Sequence, residues 1–147
     1  MYQILLIPIL AGISAQICKF FIRSNRLKFS AKTMMAYSGM PSGHASIVVS
    51  LATIVGLHEK WHSPLFAITI VFAILTIRDA IGVRQYLGKH GKILNILVND
   101  LKDDNVLEQK YPHLLERIGH TPMQVIVGSI LGFLISIIGY TVLNQTF

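Results

Sequence analysis

The sequence predicts an all-α integral membrane protein: a bundle of four transmembrane helices with an interfacial helix and one cytoplasmic helical loop. Hydrophobic residues make up 52% of the 147 residues and charged residues only 14%, whereas soluble domains carry about 25% charged residues. The mean hydropathy of +0.57 agrees with this class, and four apolar stretches are separated by polar segments. A chain of this length is expected to form one membrane domain.

The four apolar stretches approach the length of about 20 helical residues that a bilayer requires. They are residues 2–22, 41–57, 64–83 and 122–143. Basic residues follow the first stretch rather than precede it, which favours an uncleaved span over a signal peptide. The second stretch is short, so we expect its N-terminal end to lie in a protein-lined recess below the membrane surface.

Local capping signals mark three helix starts. Ser63-Pro64 is an N-cap followed by proline at the first helical position. Thr121, Pro122 and Gln124 form a capping box, which predicts the start of the fourth span. Gly39 to Ser46 (Gly-Met-Pro-Ser-Gly-His-Ala-Ser) is expected to be a loop that turns into the second helix.

Two polar segments separate these spans. Residues 23–36 mix basic and apolar side chains and are expected to lie at the headgroup level, where Lys28 and Lys32 are either solvated or bind phosphate. Residues 84–119 form a cytoplasmic loop, in which Ile93, Leu97 and Leu101 repeat at helical spacing. Its acidic residues match no known metal loop, so we expect a solvated loop, no metal site and no cofactor.

Charge distribution sets the expected orientation. Of the 13 Lys and Arg residues, Lys60 alone lies at the end of the bundle away from the Gly39–Ser46 loop. The positive-inside rule therefore places this loop on the cytoplasmic side of the inner or plasma membrane and both termini outside.

Composition also constrains the partners. The net charge of +6 comes from residues beside apolar spans without an aromatic platform, so membrane lipids or a phosphate ligand are expected and nucleic acid is not. The single cysteine, Cys18, excludes an internal disulfide. A homo-oligomer is compatible with the sequence, which does not specify one.

The expected topology brings several polar residues to one end of the bundle. The first amides of a helix bind anions, Gly43 allows close approach to the backbone, and Ser42 supplies a hydroxyl as cap or ligand donor. His44 can exchange a proton near neutral pH. The third span ends with Arg78 and Asp79, followed by Arg84, and ionisable residues at such depth are candidate site residues; a simple interfacial ending is the alternative.

These motifs together resemble the divergent branch of the type 2 phosphatidic acid phosphatase superfamily, which is related to acid phosphatases and vanadium haloperoxidases. The motifs are Gly-Met-Pro-Ser-Gly-His at 39–44, Arg-Asp-Ala-x-Gly-Val-Arg at 78–84 and Gly-His-Thr-Pro at 119–122. The resemblance implies a metal-independent lipid-phosphate phosphatase. It implies that His120 attacks phosphorus to give a phosphohistidine and that His44 protonates the leaving alcohol, while Ser42 and the Gly43 amide hold phosphate oxygens.

The chain departs from the superfamily pattern in three respects. Leu114 stands where the last motif of the superfamily has an arginine, six residues before its histidine. No Arg-Pro pair occurs upstream, and Lys28 or Lys32 is the expected substitute. Gln124 stands where the superfamily has an aspartate; a neutral amide can orient an imidazole but cannot stabilise its cation, and we expect Asp79 to fill that role. The alternatives to an enzyme are a non-catalytic lipid-phosphate binder or transporter and a purely structural membrane protein. Haloperoxidase chemistry is disfavoured in so small a membrane-embedded chain.

Overall fold

The computed structural model describes residues 2–22, 39–100, 113–116 and 118–145. These stretches contain the helices α1 (Tyr2–Phe21), α2 (Gly43–Glu59), α3 (Pro64–Ile81), α4 (Val83–Asp100) and α5 (Pro122–Gln145). The expected interfacial helix with Lys28 and Lys32, and the acidic residues 103–108, lie outside the described residues.

Three helical stretches in the described part of the chain are long and apolar enough to cross a membrane. They are Tyr2–Phe21, the α3–α4 stretch Pro64–Asp100, and Pro122–Asn144. Helix α2 forms where the second span is expected, but its 17 residues make it shorter, about 26 Å at 1.5 Å per residue. The protein is thus a helical membrane protein.

Helix α2 lies at the centre of the bundle and packs against α1, α3 and α5. Its apolar side chains supply much of the buried core, including Ala45, Val48, Ile54 and Val55. Large apolar side chains of α1, α3 and α5 are instead exposed on the outside of the bundle. Such an arrangement suits a protein whose outer surface faces lipid.

Small residues allow α5 to approach α2 closely. A Cβ atom on Gly128 or Gly132 would collide with the backbone carbonyl of Ser42 or Ser46, respectively. One turn further along α5, the Ser136 hydroxyl lies 2.7 Å from the Ser50 hydroxyl and 3.0 Å from the Ser50 carbonyl. The small-residue pattern Gly-xxx-Gly-xxx-Ser therefore forms a helix–helix contact.

Helix α1 runs antiparallel to α2, and two contacts fix how the helices are aligned along their length. The Ser46 hydroxyl donates to the Ala11 carbonyl at 3.0 Å, and a Cβ atom on Gly12 would lie 2.6 Å from the Ile47 side chain. This register places the C-terminal end of α1 beside the N-terminal end of α2.

Helix α3 ends earlier than expected. The sequence predicts a continuous span to about Val83, but the helix stops at Ile81 and α4 starts at Val83. Gly82 forms the junction with φ −96° and ψ −90°, and its amide still donates to the Arg78 carbonyl at 2.8 Å. The α-helical conformation is therefore interrupted at one residue, while the backbone hydrogen bond is kept.

Candidate functional site

The start of α2 has the capped geometry that its sequence predicts. Ser42 is the N-cap, its hydroxyl accepts from the Ala45 amide at 3.4 Å, and its carbonyl accepts from the Ser46 amide at 3.0 Å. Ser42 is completely buried, and its own amide donates to the Gln124 carbonyl at 2.9 Å. The N-terminal ends of α2 and α5 are therefore fixed to each other by a backbone hydrogen bond.

The start of α5 is a closed capping box. The Thr121 amide donates to Gln124 Oε1 at 3.1 Å, and the Gln124 amide donates to Thr121 Oγ1 at 3.4 Å. Pro122 has no amide hydrogen. Because the Thr121 and Gln124 amides already have partners, the start of α5 offers an anion fewer hydrogen-bond donors than the sequence suggests. The start of α2 is therefore the better candidate for anion binding.

The backbone of His120 is held by the α3–α4 junction. Its amide donates to the Ala80 carbonyl at 2.9 Å, and its carbonyl accepts from Gln85 Nε2 at 2.6 Å. Gly119 has φ +91°, and a Cβ atom there would lie 2.7 Å from the Gln85 amide nitrogen, so glycine is required on both conformational and steric grounds. These contacts fix where the imidazole of His120 enters the bundle.

His44 and His120 meet at this end of the bundle. Their ring centroids are 5.8 Å apart and the ring planes are inclined by 59°. Nδ1 of His120 lies 3.3 Å from Gln124 Oε1, and the residue is 1% exposed. Two imidazoles from separate helix starts thus lie within reach of one tetrahedral group.

His120 is held in its neutral form. Burial lowers its pKa to about 4, and the charges of Lys19 and His44 act in the same direction. Hydrogen bonds with Gln124 and with the backbone of Gly39 oppose this shift without cancelling it. The ring is therefore unprotonated at neutral pH, the state in which an imidazole nitrogen can act as a nucleophile.

The α3–α4 junction adds an ion pair beside the histidines. Arg84 Nε donates to Asp79 Oδ2 at 2.5 Å across the break at Gly82, and the charges of both residues act on His44. Asp79 does not take the place expected for it beside His120, because the atom next to His120 Nδ1 belongs to Gln124. Arg78 is exposed.

Three polar residues of this region were not singled out by the sequence motifs. Lys19 of α1 is 3% exposed, and its charge acts on both histidines. Gln16, one turn earlier, lies beside Gly43, and its buried Oε1 has no hydrogen-bond partner in the part of the chain that the structure describes. Gln85 binds the His120 carbonyl. Two of the three could have been found from the sequence, because Gln16 and Lys19 are polar residues within an otherwise apolar span. The sequence of α1 says nothing about Gln85.

Within the described residues, no group of three or more His, Cys, Asp and Glu side chains could hold a metal ion. The acidic residues 103–108 are outside that set. The groups that meet at the site are imidazoles, hydroxyls, amides, ammonium and guanidinium, a donor set suited to an oxyanion.

The fold and site thus define a helical membrane protein with paired histidines at two adjoining helix starts. The chain belongs to the Divergent PAP2 family, whose pattern it matches over residues 1–135. It is also similar to the "Uncharacterized membrane protein YuiD" of Bacillus subtilis (strain 168), with 36% identity over 146 residues and 91% of each chain covered. No solved structure matches the chain significantly.

Proposed function

We propose that the protein is a metal-independent phosphatase that removes the phosphate from a membrane lipid through a phosphohistidine intermediate. The observation that carries the proposal is the approach of His44 and His120 to 5.8 Å between ring centroids. Family membership supports a phosphatase-related function, and the apolar exterior of the bundle supports a lipid as substrate.

His120 would be the nucleophile. If its Nδ1–H donates to Gln124 Oε1, Nε2 keeps the lone pair needed to attack phosphorus. The pKa of about 4 keeps that lone pair free at neutral pH. The hydrogen bonds of the His120 backbone to Ala80 and Gln85 would hold the ring in position during the attack.

His44 would act as the general acid and base. It protonates the alcohol oxygen as the phosphorus–oxygen bond breaks and the phosphorus–nitrogen bond forms. It then takes a proton from a water molecule that attacks the phosphohistidine, which releases inorganic phosphate and restores both imidazoles.

The transferred phosphoryl group would bind at the start of α2. Among the described residues, none accepts a hydrogen bond from the amides of Gly43 and His44, so these donors can face an oxyanion. Arg84 adds a positive charge, with Arg78, Lys28 and Lys32 as further candidates. Ser42, buried and engaged as a cap, would act mainly by shaping the loop.

Phosphatidic acid, phosphatidylglycerol phosphate and polyprenyl phosphate are suitable substrates, approached from the cytoplasmic leaflet. The test is phosphate release from each of them by purified protein in the presence of a chelator. We expect release by the unaltered protein and by His90→Ala, in which an exposed histidine of α4 is removed. His120→Ala should show neither release nor an acid-labile phosphoprotein; continued hydrolysis by that variant would refute the assignment.

A non-catalytic lipid-phosphate binder or transporter is the second candidate. Two observations favour it: His120 is 1% exposed, and its partner Gln124 is an amide that cannot stabilise an imidazolium as a carboxylate does. This function predicts saturable binding of lipid phosphates without turnover, unchanged by Gln124→Asp. A gain of hydrolysis in that variant would instead identify a weakened enzyme.

A further inference from the structure

Helix α4 directly follows a membrane span but is not part of the same crossing. The 18 residues of α3 make a helix about 27 Å long, close to the roughly 30 Å of a bilayer's hydrocarbon core. The whole α3–α4 stretch of 37 residues would be about 56 Å long, nearly twice that thickness. Gly82 interrupts the α-helical conformation between the two helices, so α4 can leave the axis of α3 at this point.

One side of α4 is apolar and exposed. Its large apolar side chains recur at spacings of three and four residues, which places them on one stripe about 120° wide. The members of this apolar stripe are each 47–62% exposed: Val83, Tyr86, Leu87, Ile93, Leu94 and Leu97. His90 lies within the same stripe and is also exposed. Among the described helices, α4 packs chiefly against α3, and a contiguous exposed apolar surface of this kind indicates a contact with a membrane or a protein.

The opposite side of α4 already has a partner within the chain. Gly88 allows the backbone of residues 114–116 to approach closely, because a Cβ atom there would lie 2.5 Å from the Glu116 carbonyl oxygen. The Asn95 side chain donates to the Leu114 carbonyl and accepts from the Leu114 amide, both at 2.9 Å. This segment therefore binds the glycine and asparagine side of α4 and leaves the apolar stripe facing outward.

Basic and aromatic side chains at the edge of the apolar stripe indicate which surface it contacts. Lys89 lies at this edge, with Nζ 5.4 Å from the centroid of the Tyr86 ring. Tyrosine is enriched at membrane interfaces, and lysine covers apolar surface with its methylene chain while its ammonium group reaches the headgroups. The only acidic residue in the sequence of α4 is Asp100, at its C-terminal end. This charge complements an anionic lipid surface, whereas a second copy of the chain would present the same positive charge.

We propose that α4 lies on the membrane leaflet at the histidine end of the bundle, with Lys89 among anionic lipid headgroups. The apolar stripe would be buried about 5–10 Å deep, at the boundary between headgroups and acyl chains. The side that carries Asn95 and residues 114–116 would face water. The partner of the stripe is thus the lipid surface itself, next to the end of α3.

Fluorescence from single labelled cysteines in the whole protein tests this placement. In a Cys18→Ser background, a polarity-sensitive fluorophore is attached to Leu94→Cys on the apolar stripe or to Lys92→Cys, about 160° away around the helix. In vesicles that contain phosphatidylglycerol, the label at position 94 should emit at shorter wavelength. It should be quenched by lipids with a nitroxide on the acyl chain and not by iodide in the water. The label at position 92 should show the reverse pattern, and thermal unfolding verifies that both variants are folded.

The two quenchers also distinguish the other possible environments of the apolar stripe. Quenching of the label at position 94 by iodide would place the stripe in water and overturn the proposal. Protection from both quenchers would mean that protein covers the stripe, which would overturn it as well. The cover is a second copy if the protection is lost when the protein is diluted in lipid, and another segment of the same chain if it persists. Docking of α4 does not require catalysis, so the result is independent of whether the protein hydrolyses lipid phosphates.

Charge reversal tests the role of anionic headgroups. In vesicles that contain phosphatidylglycerol, Lys89→Glu should lower the ratio of docked to undocked α4 by roughly 30-fold, because an attracted charge is replaced by a repelled one. In vesicles of phosphatidylcholine alone this loss should be absent. Lys60→Glu at the far end of the bundle is the matched control and should leave the label at position 94 unchanged in both lipids. Equal effects of Lys89→Glu in the two lipids would overturn the placement of Lys89 among anionic headgroups.

Discussion

At the scale of single residues, the site depends on the protonation state of His120. An unfolded chain binds a proton at this residue with a pKa near 6.5, whereas burial lowers the folded value to about 4. Between these two pH values the unfolded state holds a proton that the folded state lacks. The contribution of His120 to stability is therefore complete above about pH 6.5 and is lost as the pH falls toward 4.

This linkage predicts a pH-dependent difference between the unaltered protein and His120→Gln. On acidification from pH 7.5 to 4.5, we expect the unaltered protein to lose more stability than the variant, by up to about 3 kcal/mol. Denaturant unfolding in detergent at the two pH values measures it, and the other titrating groups cancel in the comparison. Equal losses in both proteins would mean that His120 is not held neutral.

Substitution of Gly43 distinguishes a structural role of this residue from a role in ligand binding. A Cβ atom at this position meets only Gln16, at an ordinary contact distance of 3.8 Å, and alanine is favoured over glycine within a helix by up to about 1 kcal/mol. We therefore predict that Gly43→Ala preserves or raises the melting temperature. The added methyl group would occupy space beside the Gly43 and His44 amides, so vanadate affinity should fall at least about tenfold. Normal affinity in a stable variant would place the anion elsewhere.

At the scale of helices, the contact between α2 and α5 holds the two histidine-bearing starts together. Gly128 faces the Ser42 carbonyl, and Ser42 is the cap of α2. Gly132 faces the Ser46 carbonyl in the same way. Because a backbone carbonyl cannot move as a side chain can, a methyl group here must push the helices apart.

We predict that Gly132→Ala destabilises the protein by roughly 1–3 kcal/mol, the usual cost of overpacking. Gly139→Ala is the comparison on the same helix, because the nearest atom to its Cβ would be a side-chain atom, Ile7 Cδ1 at 2.9 Å, rather than a backbone carbonyl. Thermal unfolding of both variants in one detergent makes the comparison. A smaller effect for Gly132→Ala than for Gly139→Ala would show that α5 approaches α2 less closely than the contact at the Ser46 carbonyl requires.

The helix starts could be predicted from the sequence because capping is local. Ser42, Ser63 and Thr121 all cap the helices that follow them, and each lies within three residues of its partner. The Gly-xxx-Gly pattern is likewise local, because the spacing of its small residues is enough to predict a close helix–helix contact. These parts of the fold need no knowledge of the rest of the chain.

The surroundings of the histidines could not be predicted in the same way. Lys19 and Gln16 reach the site only because small residues of α1 fix its register against α2, a contact between residues 35 positions apart. Asp79 was expected beside His120, but the break at Gly82 pairs it with Arg84 instead. Such outcomes depend on tertiary packing, and no local pattern specifies them.

At the scale of the whole molecule, we expect the charges of the two ends to determine its orientation in the membrane. Lys60 lies in the short connection between α2 and α3, at the end of the bundle opposite His44. Lys89 and Lys92 of α4 are exposed and follow the helix that ends beside the site. The positive-inside rule therefore predicts that the histidine site faces the cytoplasm.

Labelling of single cysteines in intact cells tests this orientation. In a Cys18→Ser background, Lys60→Cys should react with a membrane-impermeant maleimide added outside. Lys92→Cys should react only after the membrane is permeabilised, because α4 would lie on the cytoplasmic side. Both positions are exposed, so a difference between them reports the side of the membrane. The reverse pattern would place the site outside, and its substrate would then come from the outer leaflet.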